Sequence, residues 1–265
     1  MTDLLEILGY PFVWRALFAG AMIAVCASVL GVILVLKHYS LIGHGLSEVG
    51  FASLSIASAL GLPLMLVSAP AVILASFAIM YISQRFRTAG DIAIAIASSA
   101  ALAFGVAVSS LTGPVSAVSS YLFGSVLAVS DSDMYLAAGL SVLVMGVFAV
   151  FYNRIFLITY NEDYARSLGI NTAFYQFMIS VLTALVVVTG MRITGTLLIS
   201  GIIILPAVTA RRIASGFKSL VILSGVISLT GFVLGLVLSF MINIPVGAGV
   251  ILSDTAILIL VRVIL

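Results

Sequence analysis

The chain has 265 residues, of which 63% are hydrophobic and 8% charged, with a mean hydropathy of +1.36. Soluble domains run about 45–50% apolar and about 25% charged, so this composition excludes an ordinary water-soluble globule. Eleven Lys and Arg against nine Asp and Glu leave a formal charge of only +2, and the basic residues stand singly, which excludes a nucleic-acid-binding stripe.

The first ten residues carry Asp3 and Glu6 and no Lys or Arg, so no cleavable signal peptide is expected and the first apolar run should remain as a span. Crossing the hydrocarbon core takes roughly 20 residues. Polar and kinking residues divide the apolar sequence into nine segments: 16–36, 41–62, 63–84 opened by Pro63, 92–111, 134–152, 172–191, 193–210, 219–242 and 245–261. Eight or nine spans both fit this pattern, all within one transmembrane domain covering residues 1–265. The expected fold is therefore an all-α, polytopic transmembrane helix bundle.

Two connections depart from simple loops. Residues 112–133 contain Gly113-Pro114 and then an apolar stretch, 121–130, too short to span; it reads as a re-entrant or interfacial helix. Residues 153–171 hold Asn161-Glu-Asp-Tyr-Ala-Arg-Ser-Leu-Gly169. Asn161 can cap a helix, Glu162 and Asp163 suit its positive end, and Gly169 can stop it. A short amphipathic helix across one face of the bundle follows, as a docking surface for a soluble partner or as a solvated connector.

Charge by loop gives the orientation. Lys37, Arg85, Arg87, Arg154, Arg166, Arg211, Arg212, Lys218 and Arg262 fall on one parity, nine residues in all, against Arg15 and Arg192 on the other. Cytoplasmic loops hold the excess of Lys and Arg, which places the N-terminus outside and the C-terminus in the cytoplasm. Helices in lipid pack through small residues, and the chain has 23 glycines, among them the pair Gly231 and Gly235 in the eighth segment. The run Gly50-Phe-Ala-Ser-Leu-Ser-Ile-Ala-Ser-Ala is small enough that the second helix should be enclosed by protein. Cys26 and the dispersed methionines read as packing. Asp131 and Asp133 read as solvated loop residues.

An ionisable group inside a span costs about 2.5–3.5 kcal/mol and calls for a partner or a function. Glu48 in the second segment and Asp254 in the ninth are such groups. His44 precedes Glu48 by four positions, so the two share a helix face with Cβ atoms about 5–6 Å apart. By helical rise the depths of Glu48 and Asp254 differ by only about 7 Å, so Asp254 could join the pair if the helices are neighbours. Imidazole with carboxylate suits zinc, manganese or ferrous iron and lacks the sulfur expected for copper(I). His44, Glu48 and, as a weaker candidate, Asp254 are the expected contacts of a divalent metal in transit. The simpler reading is a local His44–Glu48 pair and an Asp254 bonded to a neighbouring hydroxyl.

At these residues the chain resembles a known family. Ser40-Leu-Ile-Gly-His-Gly-Leu-Ser-Glu-Val-Gly50, Tyr121-Leu-Phe-Gly-Ser, Asp163-Tyr-Ala-Arg-Ser-Leu-Gly169 and Gly195-Thr-Leu-Leu-Ile-Ser-Gly-Ile-Ile-Ile-Leu-Pro-Ala-Val-Thr-Ala-Arg211 are similar, in order, to motifs of the membrane permeases of zinc, manganese and iron ATP-binding-cassette importers. Where that family shows Asp and, four residues on, His, this chain has His44 and then Glu48. The resemblance implies a homodimeric permease in a bacterial cytoplasmic membrane, coupled to separate ATPase subunits and fed by an extracytoplasmic metal-binding protein. It assigns Glu162, Asp163, Tyr164, Ala165, Arg166, Leu168 and Gly169 to a coupling helix, and it implies a transported metal with no resident cofactor. No G-x-x-x-x-G-K-[ST] loop occurs in the sequence, so the chain is not expected to be an ATPase itself. The competing readings are an ion-coupled secondary metal carrier, a purely structural subunit, and an intramembrane hydrolase using Ser200 with His44, for which the rest of a catalytic signature is missing.

Overall fold

The computed structural model describes residues 11–86, 90–112 and 129–264. The region of the expected outer helix at 113–128, with its Tyr121-Leu-Phe-Gly-Ser motif, lies outside the described residues, as do the first ten residues and Arg87. Among the described residues there is no strand, and the helices run in the order α1 (Pro11–Leu36), α2 (Ile42–Ala59), α3 (Leu64–Phe86), α4 (Gly90–Thr112), α5 (Asp131–Tyr160), α6 (Glu162–Ser167), α7 (Thr172–Thr194), α8 (Thr196–Ile213), α9 (Phe217–Ile242) and α10 (Val246–Ile264). By length and composition, six of them (α1, α4, α5, α7, α9 and α10) are apolar enough to cross a membrane. The polar content of α2, with four serines, His44 and Glu48, explains why hydropathy alone passes over it.

Helix α1 is the axis of the bundle and packs on α5, α7, α8 and α9. Its fit to α9 is a four-residue register set by small and hydroxyl side chains. Phe232 lies over Gly20, Ser228 Oγ donates to the Ala24 carbonyl at 2.9 Å, and Ser224 Oγ donates to the Ser28 carbonyl at 3.2 Å. A stack in which one number falls as the other rises makes the two helices antiparallel. At Gly31 the backbone of α1 meets the Ile203 carbonyl of α8 with no space for a side chain.

Helix α2 is enclosed as its composition requires, packing on α3, α4, α7 and α8. It runs parallel to α4: Leu41 N–H donates to Asp91 Oδ1 at 3.1 Å at one end, and Ser109 Oγ donates to Ser55 Oγ at 3.0 Å near the other. Gly45 and Gly105 bring these two helices close, Gly45 facing the Ile94 side chain and Gly105 the Phe51 ring and the Ala52 backbone. The Gly231 and Gly235 pair forms the seam with α10, where Gly235 receives Val250.

Two differences from the expected spans have local causes. The fifth helix does not stop at residue 152 but continues to Tyr160, because Arg154 is accommodated by donating to the Tyr175 hydroxyl at 2.6 Å and residues 155–158 are apolar. The expected inner connection therefore shrinks to 161–171. Helices α7 and α8 are separated by Gly195 alone, and its φ of 89° is the left-handed conformation that favours glycine.

Ion pairs mark two opposite ends of the bundle. At one, Lys37 meets Glu162; at the other, Arg15 meets Asp131 at 2.7 Å and Arg192 meets Asp133 at 3.1 Å. At the helical rise of α1, Arg15 and Lys37 put about 33 Å between those ends. Both acids are thus paired: Asp131 stays open to solvent as expected, whereas Asp133 is buried rather than solvated. Asp133 also closes a capping box with Ser130 at the start of α5, so two separate roles converge on a carboxylate only 5% exposed. Asp133→Ala is expected to lower stability by about 2–3 kcal/mol and Asp131→Ala, whose pair is open to solvent, by less than about 1. Thermal unfolding of the detergent-purified chain measures both, and equal losses would contradict this ranking.

Candidate functional site

The His44–Glu48 pair is one turn of α2. Leu41 precedes the helix without a side-chain cap, and the tether from Asp91 to Leu41 N–H fixes where α2 begins. His44 Nε2 and Glu48 Oε1 lie 3.1 Å apart, with 54% of the imidazole and 15% of the carboxylate side chain exposed. The opposite faces of α2 are filled: Gly43 abuts Ile203 and Ser200 of α8, and Gly50 abuts Met191 of α7. Only the His44–Glu48 side is left open. An imidazole and a carboxylate at this distance can together present a nitrogen and two oxygens to a cation, giving up their mutual contact as it arrives.

Asp254 is not brought to this pair. Helix α10 packs principally on α9 and α8, and the Asp254 carboxylate is pressed against the Cα of Gly231, where any side chain would overlap it. The residue is 1% exposed, and neither of its oxygens has a hydrogen-bond partner, so no neighbouring hydroxyl satisfies it either. Similar depth in two helices did not make them neighbours. Among the described residues no group of three or more His, Cys, Asp or Glu comes together.

The second element is α6. Asn161 ends α5 and its side chain accepts from Tyr164 N–H at 3.0 Å, which turns the chain sharply into the short helix. Gly169, with φ of 77°, ends the segment. Ala165 is buried with Ile158 and Tyr175, whereas Asp163, Tyr164, Arg166, Ser167, Leu168 and Gly169 are exposed. Tyr160, Tyr164 and Leu168 are exposed at 75%, 55% and 55%. Tyr164 and Leu168 are four residues apart on α6 and its C-cap, Tyr160 ends α5 just before the turn, and all three lie near charged residues, which suits a protein partner better than solvent.

Glu162 holds α6 down. It meets Lys37 Nζ at 3.2 Å, Arg166 Nη2 at 2.6 Å and Gln176 Nε2 at 2.6 Å. Burial alone would raise its carboxyl, but Lys37, Gln176 and Arg166 together hold it below the ordinary value. Burial has the larger effect on Lys37 and pulls its ammonium down despite Glu162. The contact favours both charges, but three donors outweigh burial at the carboxylate while the single acceptor does not outweigh it at the ammonium. A depressed folded value for Glu162 means its contribution is present at neutral pH and lost only in acid, as pH falls below the ordinary 4.5. Protection of the α6 amides, taken relative to intrinsic exchange at each pH, should accordingly stay constant from pH 7 to about 5 and fall below that; loosening already between pH 7 and 6 would contradict it. Lys37 and Gln176 were not singled out from the sequence: Lys37 carried only a topological charge, and nothing in the spacing pairs position 37 with position 162.

Comparison with known proteins gives a consistent result. The family described as ABC 3 transport family matches residues 9–264. The manganese import system permease protein ScaB of Streptococcus gordonii is 30% identical over 248 residues, covering 94% of this chain and 89% of that protein. The manganese transport system membrane protein MntC of Listeria monocytogenes is 27% identical over 257 residues, with 97% and 92% covered. Among solved structures, PsaBC from Streptococcus pneumoniae in complex with Fab matches with a TM-score of 0.85 and 28% identity, over 98% of this chain and 95% of the matched one.

Proposed function

The chain belongs to the ABC 3 transport family, and from that premise we propose that it is the membrane permease subunit of an ATP-binding-cassette importer carrying a divalent metal, manganese, zinc or iron, into the cytoplasm. The observation that carries the metal reading is the His44–Glu48 pair on the single open side of an otherwise enclosed helix. Manganese is favoured by the names of the relatives and by the donor chemistry, since a carboxylate and one imidazole without thiolate suit Mn²⁺ and Fe²⁺ at least as well as Zn²⁺. Two protein ligands are too few for any of these ions. A homodimer whose two copies face each other across α2 would supply four.

In this reading the nine long helices all cross the bilayer as one domain of residues 1–265, the Arg15 end faces outward with the N-terminus, and the Lys37 end and the C-terminus are cytoplasmic. The outer end receives the ion from an extracytoplasmic binding protein. The exposed side chains of Tyr160, Tyr164 and Leu168 receive the ATPase subunit. Asp254, enclosed between α9 and α10, would meet the ion only in a state where those helices part, so Asp254→Asn is expected to keep uptake within about threefold of the parent.

Proteoliposomes test the function directly. Uptake of Mn²⁺, Fe²⁺ or Zn²⁺ is expected only when the ATPase subunit and ATP are both present; equal uptake by the permease alone, driven by a proton or sodium gradient, would select the secondary-carrier reading instead. Replacing residues 164–168 by glycine should abolish co-purification of the ATPase subunit, and normal co-purification would remove α6 from the interface.

A further inference from the structure

We propose that Lys37 is a positioning residue that ties the ATPase-facing helix α6 to the α1–α2 turn, so that movement of α6 is passed to the helix bearing His44 and Glu48. The inference rests on the permease reading above and adds to it a physical route between the two sites.

Three observations build the route. Lys37 follows the last residue of α1, and its side chain is 10% exposed with Nζ 3.2 Å from Glu162, the first residue of α6. Glu162 in turn is held by Arg166 of the same helix and by Gln176 of α7, so the acceptor is fixed within α6 rather than trailing from a loop. On the other side of Lys37 the chain reaches α2 through a turn with little slack. Lys37 N–H donates to Ile33 O, Tyr39 N–H to Leu34 O, and Ile42 N–H to Tyr39 O, while His38 takes a left-handed φ of 60°. Tyr39 is itself buried and lies against Gly90 at the start of α4. A displacement of Lys37 therefore cannot be absorbed locally and must move the start of α2 at Ile42, two residues before His44 and six before Glu48.

Stability alone does not account for a lysine here. Burial works against its ammonium even with Glu162 beside it, and an apolar side chain would fill the space beside α1 without that strain. A charged tether has a property that an apolar contact lacks: it holds one specific partner in one direction.

The test uses proteoliposomes containing the permease with its ATPase subunit and free Mn²⁺ as the probe. Lys37→Met is expected to leave ATPase co-purification intact and ATP hydrolysis within about twofold, while Mn²⁺ uptake per ATP falls about tenfold. Lys37→Arg, which retains charge and reach, should recover more than about half of the uptake. The doubly neutral variant Lys37→Met with Glu162→Gln should be no worse than Glu162→Gln alone, because Lys37 acts only through Glu162. Should Lys37→Met weaken the hold on Glu162 enough to unfold the chain, the doubly neutral variant carries the test, since it removes both charges of the pair. Parental uptake by a folded Lys37→Met or doubly neutral variant overturns the proposal, and so does a Lys37→Arg variant as deficient as Lys37→Met. If the parent itself moves no metal under ATP, the permease reading has failed; if it does, and replacing His44 and Glu48 stops it while Lys37→Met does not, only the tether has failed.

Discussion

Replacing both His44 and Glu48 by alanine is expected to cut ATP-driven metal uptake by at least about 100-fold, with each single replacement costing at least about tenfold. The reason is that these are the ionisable groups on the open side of α2, and among the described residues no third acid or imidazole joins them. The direction of the stability change separates this result from misfolding. Glu48 costs about 2.5–3.5 kcal/mol to place within a span, and an exposed His–Glu contact at this spacing returns about 0.5 kcal/mol at most. The double alanine variant should therefore unfold at the same temperature as the parent or higher, while its transport is lost. Exchanging the two residues, His44→Glu with Glu48→His, keeps the same donors and should retain measurable uptake with an altered order of preference among Mn²⁺, Fe²⁺ and Zn²⁺. Uptake unchanged in the double alanine variant would remove the pair from the pathway.

The largest structural effect is expected at Gly31. A side chain there would overlap the Ile203 carbonyl oxygen and lie 2.9 Å from its carbon, and the obstacle is backbone, so no rotamer change relieves it. Gly31→Val should force α1 away from α8 and destabilise the chain by about 3 kcal/mol or more. Because α1 also packs on α5, α7 and α9, the loss is expected to spread beyond one helix contact. Gly139 and Gly146 of α5 provide the matched comparison, as nothing lies within 4 Å of a methyl group built on either. Gly139→Ala and Gly146→Ala should be neutral or stabilising by up to about 1 kcal/mol, the helix-propensity difference between the two residues. Thermal unfolding in detergent ranks the three, and a Gly31→Val variant as stable as Gly139→Ala would show that the α1–α8 contact yields.

Much of this architecture was legible in the linear pattern, and the exceptions are instructive. Runs of uncharged residues bounded by Pro63, by Arg85 and by Arg211-Arg212 mark where helices end, because a charge in hydrocarbon or a missing backbone donor ends a span locally. Asn161, Glu162 and Gly169 announced α6 for an equally local reason, since caps act on amides within three residues. Residue 152 misled as a boundary because the fate of Arg154 depends on Tyr175, a residue of another helix. Asp131 and Asp133 looked like free loop acids until Arg15 and Arg192 arrived from α1 and α7.

The residues alone therefore determined what depends on near neighbours along the chain: that it enters a membrane, where its helices lie, that His44 and Glu48 share a face, and that a short capped helix stands between the fifth and sixth apolar segments. Only the tertiary structure decided which helices touch. It took Asp254 away from the histidine and set it against Gly231, and it joined Lys37 to Glu162 across 125 positions. The physical reason is that depth and helical phase are properties of one helix, readable from its own residues. Lateral neighbours are chosen by the fit of small residues against backbone, and that fit exists only once both helices are in place.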